Sequence, residues 1–512
     1  MRRPLSRPVE WLLAALLGAL HSVSFAWPWA WPLQMAVVAA LAWRAAHVTP
    51  KRAAAIGLVF GTAWLACGIW WLFISLHRYG GLPAWTAVLA IAALSAFLSL
   101  YLAAALAVFA RSRRGVAWRD SLSFGALWLL AELARGVIFT GFPWVASGYA
   151  HVDGPLAALA PWVGVYGIGF VAAVLAALPV VGEERTVRSR SASIAACALV
   201  LGGAALAGPG QFTRPSGTLK VTLLQGNVAQ DEKFARDLMP QALAWTSEQL
   251  LAAHGDLVVA PETVIPLLPA ELDPGYWKTI TDHFQRSPQA VLLGLPLGDE
   301  VAGYTNSAAG ISADTAALPG GFYRYDKHHL VPFGEFIPTG FHWFTRMMNI
   351  PLGDFNRGPV GAPSFAFRGE RLGANICYED LFGEELAARF EDAASAPTIF
   401  ANISNIGWFG DTSAIPQHLQ ISRLRTLEFQ RPMLRATNTG ATAVIDHTGR
   451  VTASLPPLTQ GVLDGEVQGR TGITPFAWWA ARFGLWPLAL LAWLIVIAQL
   501  GWPGRQPGLR GR

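Results

Sequence analysis

Residues 373–383, GANICYEDLFG, join an apolar strand to an acidic stretch with helical character. Such a strand-to-helix turn places Cys377 at the start of a helix, where the helix dipole favours the thiolate over the thiol. The competing interpretation is a buried, inert cysteine, because free cysteine commonly packs as a small apolar residue. This segment alone supports both interpretations equally.

The segment lies within a stretch of 266 residues, 210–475, in which short apolar runs alternate with polar and helical ones. Strands that alternate with helices predict an α/β domain. We expect strands at 219–225, 257–260, 290–295, 372–377, 398–403 and 441–445, and helices at 232–253 and 415–430.

Two further segments of this domain place ionisable residues beside apolar ones. In LVVAPET, residues 257–263, Glu262 follows a strand that a proline stops, so partial desolvation is expected to raise its pKa toward that of a general base. In YDKHHLVPFGE, residues 325–335, the ammonium of Lys327 is suited to stabilising an oxyanion. Taken alone, each is more often a solvated surface residue.

The domain lacks the sequence features of nucleotide and metal sites. No glycine-rich phosphate loop follows any predicted strand, and His328 and His329 have no cysteine or carboxylate at ligand spacing. The other two cysteines, Cys67 and Cys197, lie in apolar runs, so no disulfide framework is predicted. We therefore expect no cofactor and no metal.

Together, PET, KHHLVPFGE and NICYE resemble the three catalytic motifs of the nitrilase, or carbon-nitrogen hydrolase, superfamily, in the same order. The resemblance implies a four-layer αββα sandwich. It also implies a triad in which Glu262 is the general base, Lys327 stabilises the tetrahedral intermediate and Cys377 is the nucleophile. Supporting roles are implied for Glu335, Tyr378 and Glu379, with packing as the alternative for Tyr378 and capping or pairing as the alternative for the two glutamates.

The rest of the chain has a different composition. The whole sequence is 53% hydrophobic and only 14% charged, whereas soluble domains average about 25% charged. Residues 1–209 and 476–512 hold 19 Lys/Arg and 6 Asp/Glu, and residues 210–475 hold 19 basic and 27 acidic residues. The net charge of +5 is thus the sum of +13 and −8, which indicates a basic membrane part joined to an acidic globular domain.

The apolar part predicts about eight membrane spans. Uncharged runs at 53–76, 84–110, 154–182 and 191–209 are long enough to cross a bilayer, and weaker candidates lie at 11–30, 31–43, 117–138 and 483–504. The expected domains are a membrane domain at 1–209 with seven spans, a catalytic domain at 210–475, and a last span with a tail at 476–512.

The basic residues predict the orientation, because they favour cytoplasmic loops. They cluster before the first predicted span and after the second, fourth, sixth and eighth. Both termini are therefore expected in the cytoplasm, and the catalytic domain in the periplasm of a cell with an inner membrane. A cleaved signal peptide ending near Ala26 is an alternative for the first span that leaves the later spans unchanged.

Over its whole length the chain resembles the apolipoprotein N-acyltransferase family. The likeness includes GFPW at 141–144, QGN at 225–227, NISN at 402–405, WFGD at 408–411 and RPMLRATN at 431–438. It implies acyl transfer from a phospholipid such as phosphatidylethanolamine, through a thioester, to the α-amine of a diacylated apolipoprotein. Membrane and lipid are the implied partners, and nucleic acid is not. A membrane-tethered nitrilase-type amidase and a transporter with an accessory domain are the alternatives, the second disfavoured because few ionisable residues lie in the spans.

Lipid contacts are expected at two places. Phe234 occupies a loop where the family often has tryptophan. HWFTRMMNIP, residues 342–351, is apolar and predicts a mobile lid that enters the membrane interface, with Trp343, Phe344 and Met347 as its contacts. A plain core helix is the alternative. In the predicted span 117–138, Glu132 and Arg135 are expected to form an ion pair, with headgroup recognition as the alternative.

Overall fold

The computed structural model describes residues 6–182, 186–233, 235, 237–338 and 355–501. The chain forms two compact units. One, here called the sheet unit, comprises Trp71–Ala84 and Gln211–Arg482. The other, here called the helical unit, comprises Met1–Trp70, Trp85–Gly210 and Phe483–Arg512.

Apolar helices build the helical unit. Its main helices are Arg7–Val23, Trp31–Ala46, Pro50–Gly68, Ala84–Ser112, Ala117–Val137, Ala160–Ala177, Val187–Ala207 and Trp486–Gly501. Four helical segments of the described chain are long and apolar enough to cross a membrane, namely Ala84–Ser112, Ala117–Thr140, Pro155–Ala177 and Val187–Ala207. Several apolar helices thus fit a membrane domain, and the count of eight spans stays a prediction.

One predicted span is not a continuous helix. The uncharged run 53–76 is divided between the helical segments Pro50–Gly68 and Leu72–Tyr79. A second break separates Pro475–Phe483 from Trp486–Gly501. Hydropathy records the apolar character of a segment but not where a helix breaks, so the sequence did not predict either break.

The helical unit contains a buried charge cluster. The guanidinium of Arg135 lies 3.8 Å from a carboxylate oxygen of Glu132, and both side chains are buried. The same guanidinium donates to the carbonyls of Phe142 at 2.9 Å and Trp144 at 2.6 Å. Glu132 also accepts from the backbone and the hydroxyl of Ser147. The two charges therefore have protein partners, as expected for buried ionised groups.

Two six-stranded sheets form the sheet unit. The first has the order β12-β1-β2-β3-β4-β5 and the second the order β11-β10-β9-β8-β7-β6. The strands are β1 (Thr213–Gln225), β2 (Leu257–Val259), β3 (Ala290–Asp299), β4 (Gly303–Ile311), β5 (Tyr323–Asp326), β6 (Phe365–Phe367), β7 (Glu370–Ile376), β8 (Ile399–Ser404), β9 (Met433–Thr437), β10 (Ala443–Ile445), β11 (Val451–Ser454) and β12 (Gly461–Gly472). Neighbours β1, β2 and β3 are parallel, as are β7, β8 and β9.

Apolar residues of both sheets share one core, which includes Leu223 and Val259 of the first sheet and Ile376 and Ile403 of the second. The outer face of the first sheet packs against helices Met239–Ala252 and Pro274–Arg286. The outer face of the second packs against helices that include Gly383–Ala387, Ala414–Phe429 and Pro475–Phe483. The order of layers is therefore helix, sheet, sheet, helix, which is the expected αββα sandwich.

All six predicted strands are present, with bounds that differ by a few residues. The helix predicted at 232–253 begins only at Met239. Strands such as β4 and β12 were not predicted from the sequence. The first is rich in glycine and alanine, and the second is a largely polar edge strand paired with β1 alone.

Candidate active site

The three residues of the predicted triad each follow the carboxyl end of a strand. Glu262 comes three residues after β2, Lys327 follows β5 directly, and Cys377 follows β7 directly. The first two belong to one sheet and the cysteine to the other. Each polar group thus sits where backbone pairing ends, on a rigid support.

A lysine between two glutamates forms the charged centre of the site. The ammonium of Lys327 lies 3.3 Å from Oε1 of Glu262 and 2.9 Å from Oε1 of Glu335. The amide of Asn306 donates to the same two oxygens, at 2.7 and 2.6 Å. The backbone N–H of Asn405 donates to the other oxygen of Glu262 at 2.8 Å. Glu335 therefore lies beside Lys327 and Asn306 at the charged centre.

These contacts reverse the pKa shift that the sequence predicted for Glu262. Burial alone raises the pKa of Glu262, but Lys327, the bond from Asn306, Lys233 and the bond from Asn405 together hold that pKa below its ordinary value. Glu335 and Glu262 outweigh the burial of Lys327 and raise its pKa above the ordinary value. The predicted upward shift for Glu262 was wrong because the sequence did not show how closely Lys327 and the donors Asn306 and Asn405 approach it. Glu262 is held as a carboxylate.

The electrostatics of Cys377 do not favour the thiolate interpretation. Burial and the nearby carboxylate of Glu262 raise the pKa of its thiol to about 12, although Lys327 opposes the shift. The helical turn that starts there, Cys377–Leu381, has five residues of 3-10 helix, so little helix dipole supports a thiolate. The thiol keeps its proton at neutral pH, and the ionised Glu262 is the group suited to accepting it.

The turn at Cys377 is sharp. The residue has φ 53°, in the left-handed region that non-glycine residues rarely adopt. The residue as a whole is partly exposed. Strained backbone of this kind is typical of nucleophiles at strand-to-helix turns.

The carboxylate of Glu379 accepts hydrogen bonds from the loop that contains Lys327 and from the strand end next to Cys377. The carboxylate accepts the hydroxyl of Tyr325 at 2.8 Å and the backbone N–H groups of His328 at 2.6 Å and His329 at 3.2 Å. It also accepts the N–H of Ile376 at 2.6 Å. One buried carboxylate therefore fixes the backbone on both sides of the site, which agrees with the capping interpretation.

Tyr378 packs against neighbouring rings. Its ring meets Phe382 edge to face at a centroid distance of 5.2 Å and lies 5.7 Å from His329. The side chain is 5% exposed. Packing is thus the interpretation that its ring contacts favour.

The sequence analysis missed two groups at the charged centre. The ammonium of Lys233 donates to the backbone carbonyl of Glu262 at 3.1 Å, and burial lowers its pKa to about 8. Asn306, on β4, binds both glutamates. Neither follows an apolar strand end in the sequence, so no local pattern marked them. Phe234, Trp343, Phe344 and Met347 lie outside the described residues.

In the part of the chain that the structure describes, no group of three or more His, Cys, Asp or Glu side chains is arranged to hold a metal ion. The residues that do converge are those of a cysteine-dependent acyl transfer: a thiol, a carboxylate base and a fixed ammonium. The site thus defines a carbon-nitrogen-hydrolase type of catalytic domain.

Comparison with known proteins gives the particular family. Residues 17–178 match the apolipoprotein N-acyltransferase N-terminal domain, and residues 220–475 match the carbon-nitrogen hydrolase family. The chain is 55% identical to the apolipoprotein N-acyltransferase of Verminephrobacter eiseniae over 93% of both chains. It is 46% identical to that of Ralstonia nicotianae, over 95% of this chain and 92% of the relative. The chain belongs to the apolipoprotein N-acyltransferase family, and it is a membrane-bound acyltransferase.

Proposed function

We propose that this enzyme completes bacterial lipoproteins by moving an acyl chain from a phospholipid to the N-terminal amine of a diacylated apolipoprotein. The observation that carries this proposal is the buried pair of Glu262 and Lys327 at the charged centre, electrostatically coupled to Cys377. A phosphatidylethanolamine-like lipid is the donor, and diacylglyceryl-cysteine is the acceptor. No nucleotide is needed, because the ester supplies the activated acyl group.

In the first half-reaction, Glu262 takes the thiol proton and Cys377 attacks the ester carbonyl carbon. The carbonyl oxygen becomes an oxyanion, which the ammonium of Lys327 stabilises. The ester C–O bond then breaks, and Glu262 returns the proton to the leaving alkoxide. The products are a thioester on Cys377 and a lysophospholipid.

In the second half-reaction, the α-amine of the apolipoprotein attacks the thioester carbonyl. Glu262 accepts the amine proton, the C–S bond breaks, and the proton returns to the sulfur. An ester and an amine have become an amide and an alcohol. Glu335 and Glu379 support the reaction indirectly, the first by fixing Lys327 and the second by fixing the backbone around it.

The proposal places the enzyme in the inner membrane. Residues 1–209 form seven spans, 210–475 the periplasmic catalytic domain, and 476–512 the eighth span and a cytoplasmic tail, with both termini in the cytoplasm. The separation of +13 from −8 charges and the basic clusters at alternate ends of the spans support this topology. The apolar residues Phe234, Trp343, Phe344 and Met347 contact lipid.

The experiment that tests this proposal determines whether the acyl group passes to the peptide amine or to water. Purified full-length enzyme is incubated with phosphatidylethanolamine and a diacylated cysteinyl peptide, and both N-acylated peptide and free fatty acid are quantified. We expect one N-acylated peptide for each lysophospholipid released, with Cys197→Ala as a matched control that retains activity. Free fatty acid without N-acylated peptide would instead identify a hydrolase.

A further inference from the structure

A buried polar network lies behind the nucleophile. The backbone carbonyl of Cys377 is 3.2 Å from Nε2 of His418 and 3.2 Å from Nδ2 of Asn402. His418 lies on helix Ala414–Phe429 and Asn402 on β8, and both side chains are at most 1% exposed. Neither is part of the charged centre.

The partners of His418 determine its tautomer. Its Nδ1 lies 2.7 Å from a guanidinium nitrogen of Arg435, which can only donate. Nδ1 must therefore accept, so the proton of the neutral ring resides on Nε2. That nitrogen faces the carbonyl of Cys377 and, at 2.9 Å, a carboxylate oxygen of Asp380. The one proton on Nε2 is therefore shared between Asp380 and the backbone carbonyl of Cys377, and Asp380 holds the ring in place as a donor toward that carbonyl.

The direction of one carbonyl fixes the direction of the next N–H. A trans peptide is planar, so its C=O and N–H point in opposite directions. When His418 and Asn402 hold the carbonyl of Cys377, they also fix the N–H of Tyr378 toward the opposite side. The unfavourable φ of 53° at Cys377 makes such an external restraint necessary.

We propose that His418 and Asn402 are positioning residues that hold the Cys377–Tyr378 peptide with its N–H directed at the oxyanion of the acyl-transfer intermediate. The inference rests on the proposed function and deepens it. Lys327 provides the charge at that oxygen, and the peptide N–H provides a directed bond. His418 itself transfers no proton during either half-reaction.

Two amide replacements separate this role from general stability. In His418→Gln, the amide nitrogen reaches about the position of Nε2 and keeps a donor for the carbonyl. In His418→Asn, the shorter side chain ends near Nδ1 and leaves the carbonyl without that donor. We expect His418→Asn to slow thioester formation from phosphatidylethanolamine by about 10²-fold, the effect of losing one oxyanion donor. His418→Gln should slow it by less than about tenfold.

Alkylation of Cys377 by iodoacetamide is the second readout, because this displacement forms no oxyanion. The full-length enzyme is used throughout, and thermal unfolding is followed for each variant. We expect alkylation rates within about threefold of the wild type for both variants.

Equal losses of alkylation and thioester formation would indicate a merely structural role and overturn the inference. Equal thioester rates in His418→Gln and His418→Asn would do the same. If the wild type itself forms no thioester, the proposed function fails, and that outcome is recognisable before any variant is compared.

Discussion

The two sheets of the catalytic unit contribute different kinds of groups to one site. The first sheet supplies ionised side chains that touch one another, Glu262 and Lys327. The second sheet supplies a protonated thiol at Cys377, whose backbone is held by Asn402 and His418. In the proposed mechanism, proton and charge chemistry thus lies on one sheet, and the other sets the geometry of Cys377.

This division of roles between the two sheets explains why Cys377 does not need to be a thiolate in the resting enzyme. In the proposed mechanism, a carboxylate that is held ionised takes the proton only when the sulfur attacks, so the resting cysteine reacts slowly with water-borne electrophiles at neutral pH. Variants of the first sheet should therefore alter proton transfer. Variants of the second should alter the orientation of the acyl intermediate.

The largest effect is expected from Glu262→Gln. Without the base, thioester formation should fall by about 10³-fold to 10⁴-fold. The carboxylate also raises the pKa of Cys377, so its removal should lower that pKa, and the pH midpoint of iodoacetamide alkylation should move down. Both rates are measured across pH in the full-length enzyme.

The exposed Glu248, on helix Met239–Ala252, offers a matched control. Glu248→Gln should change neither measurement. A rise in the pH midpoint of alkylation in Glu262→Gln would contradict the claim that the charge of Glu262, on the first sheet, raises the pKa of Cys377.

An intermediate effect is expected from Glu379→Gln, since Glu379 joins the two sheets' loops. An amide offers one acceptor oxygen where the carboxylate offers two, and its NH₂ group faces backbone N–H donors. We expect thioester formation to fall by about 10-fold to 10²-fold, the cost of a misplaced supporting group. Tyr325→Phe removes only one donor to the same carboxylate, so it should cost less. A larger loss of rate in Tyr325→Phe than in Glu379→Gln would contradict the role of Glu379 in connecting the two loops.

The smallest effect is expected from Lys233→Met. The ammonium of Lys233 helps to lower the pKa of Glu262, so its loss should raise that pKa. Glu262 would then bind its proton at a higher pH, and the acid limb of the pH-rate profile for thioester formation should move upward. The exposed Lys278→Met serves as a control with an unchanged limb. A downward shift would show that Lys233 does not act on the base.

The three residues of the proposed triad could be located from the sequence, but their pKa shifts could not. Glu262 and Cys377 stand out because each follows an apolar strand, and Lys327 stands out because it lies among apolar and aromatic residues; all three fall within recognisable motifs. The downward pKa shift of Glu262 depends on Lys327 and on donors such as Asn306, which approach from distant strands. The upward pKa shift of Cys377 depends on burial and on the carboxylate of Glu262. The sequence predicted the wrong direction for Glu262 and left the state of Cys377 open, because neither environment forms before the strands come together.

The second sheet shows the same limit more strongly. His418 lies 41 residues beyond Cys377, on a helix that is buried on nearly every side, and no local pattern distinguishes it from a packed residue. Only tertiary folding brings it to the carbonyl of Cys377. The α/β class, in contrast, followed from six strands that the apolar pattern located correctly, and the αββα layers were implied by the resemblance of the three motifs to the nitrilase superfamily.

Intact-protein mass spectrometry after mixing with phosphatidylethanolamine vesicles tests the central claim most directly. The wild type and Cys197→Ala should gain the mass of one acyl chain, in a form that hydroxylamine removes and that a diacylated cysteinyl peptide discharges. Cys377→Ala should gain none, because the thioester requires that sulfur. An adduct that persists in Cys377→Ala would contradict the account.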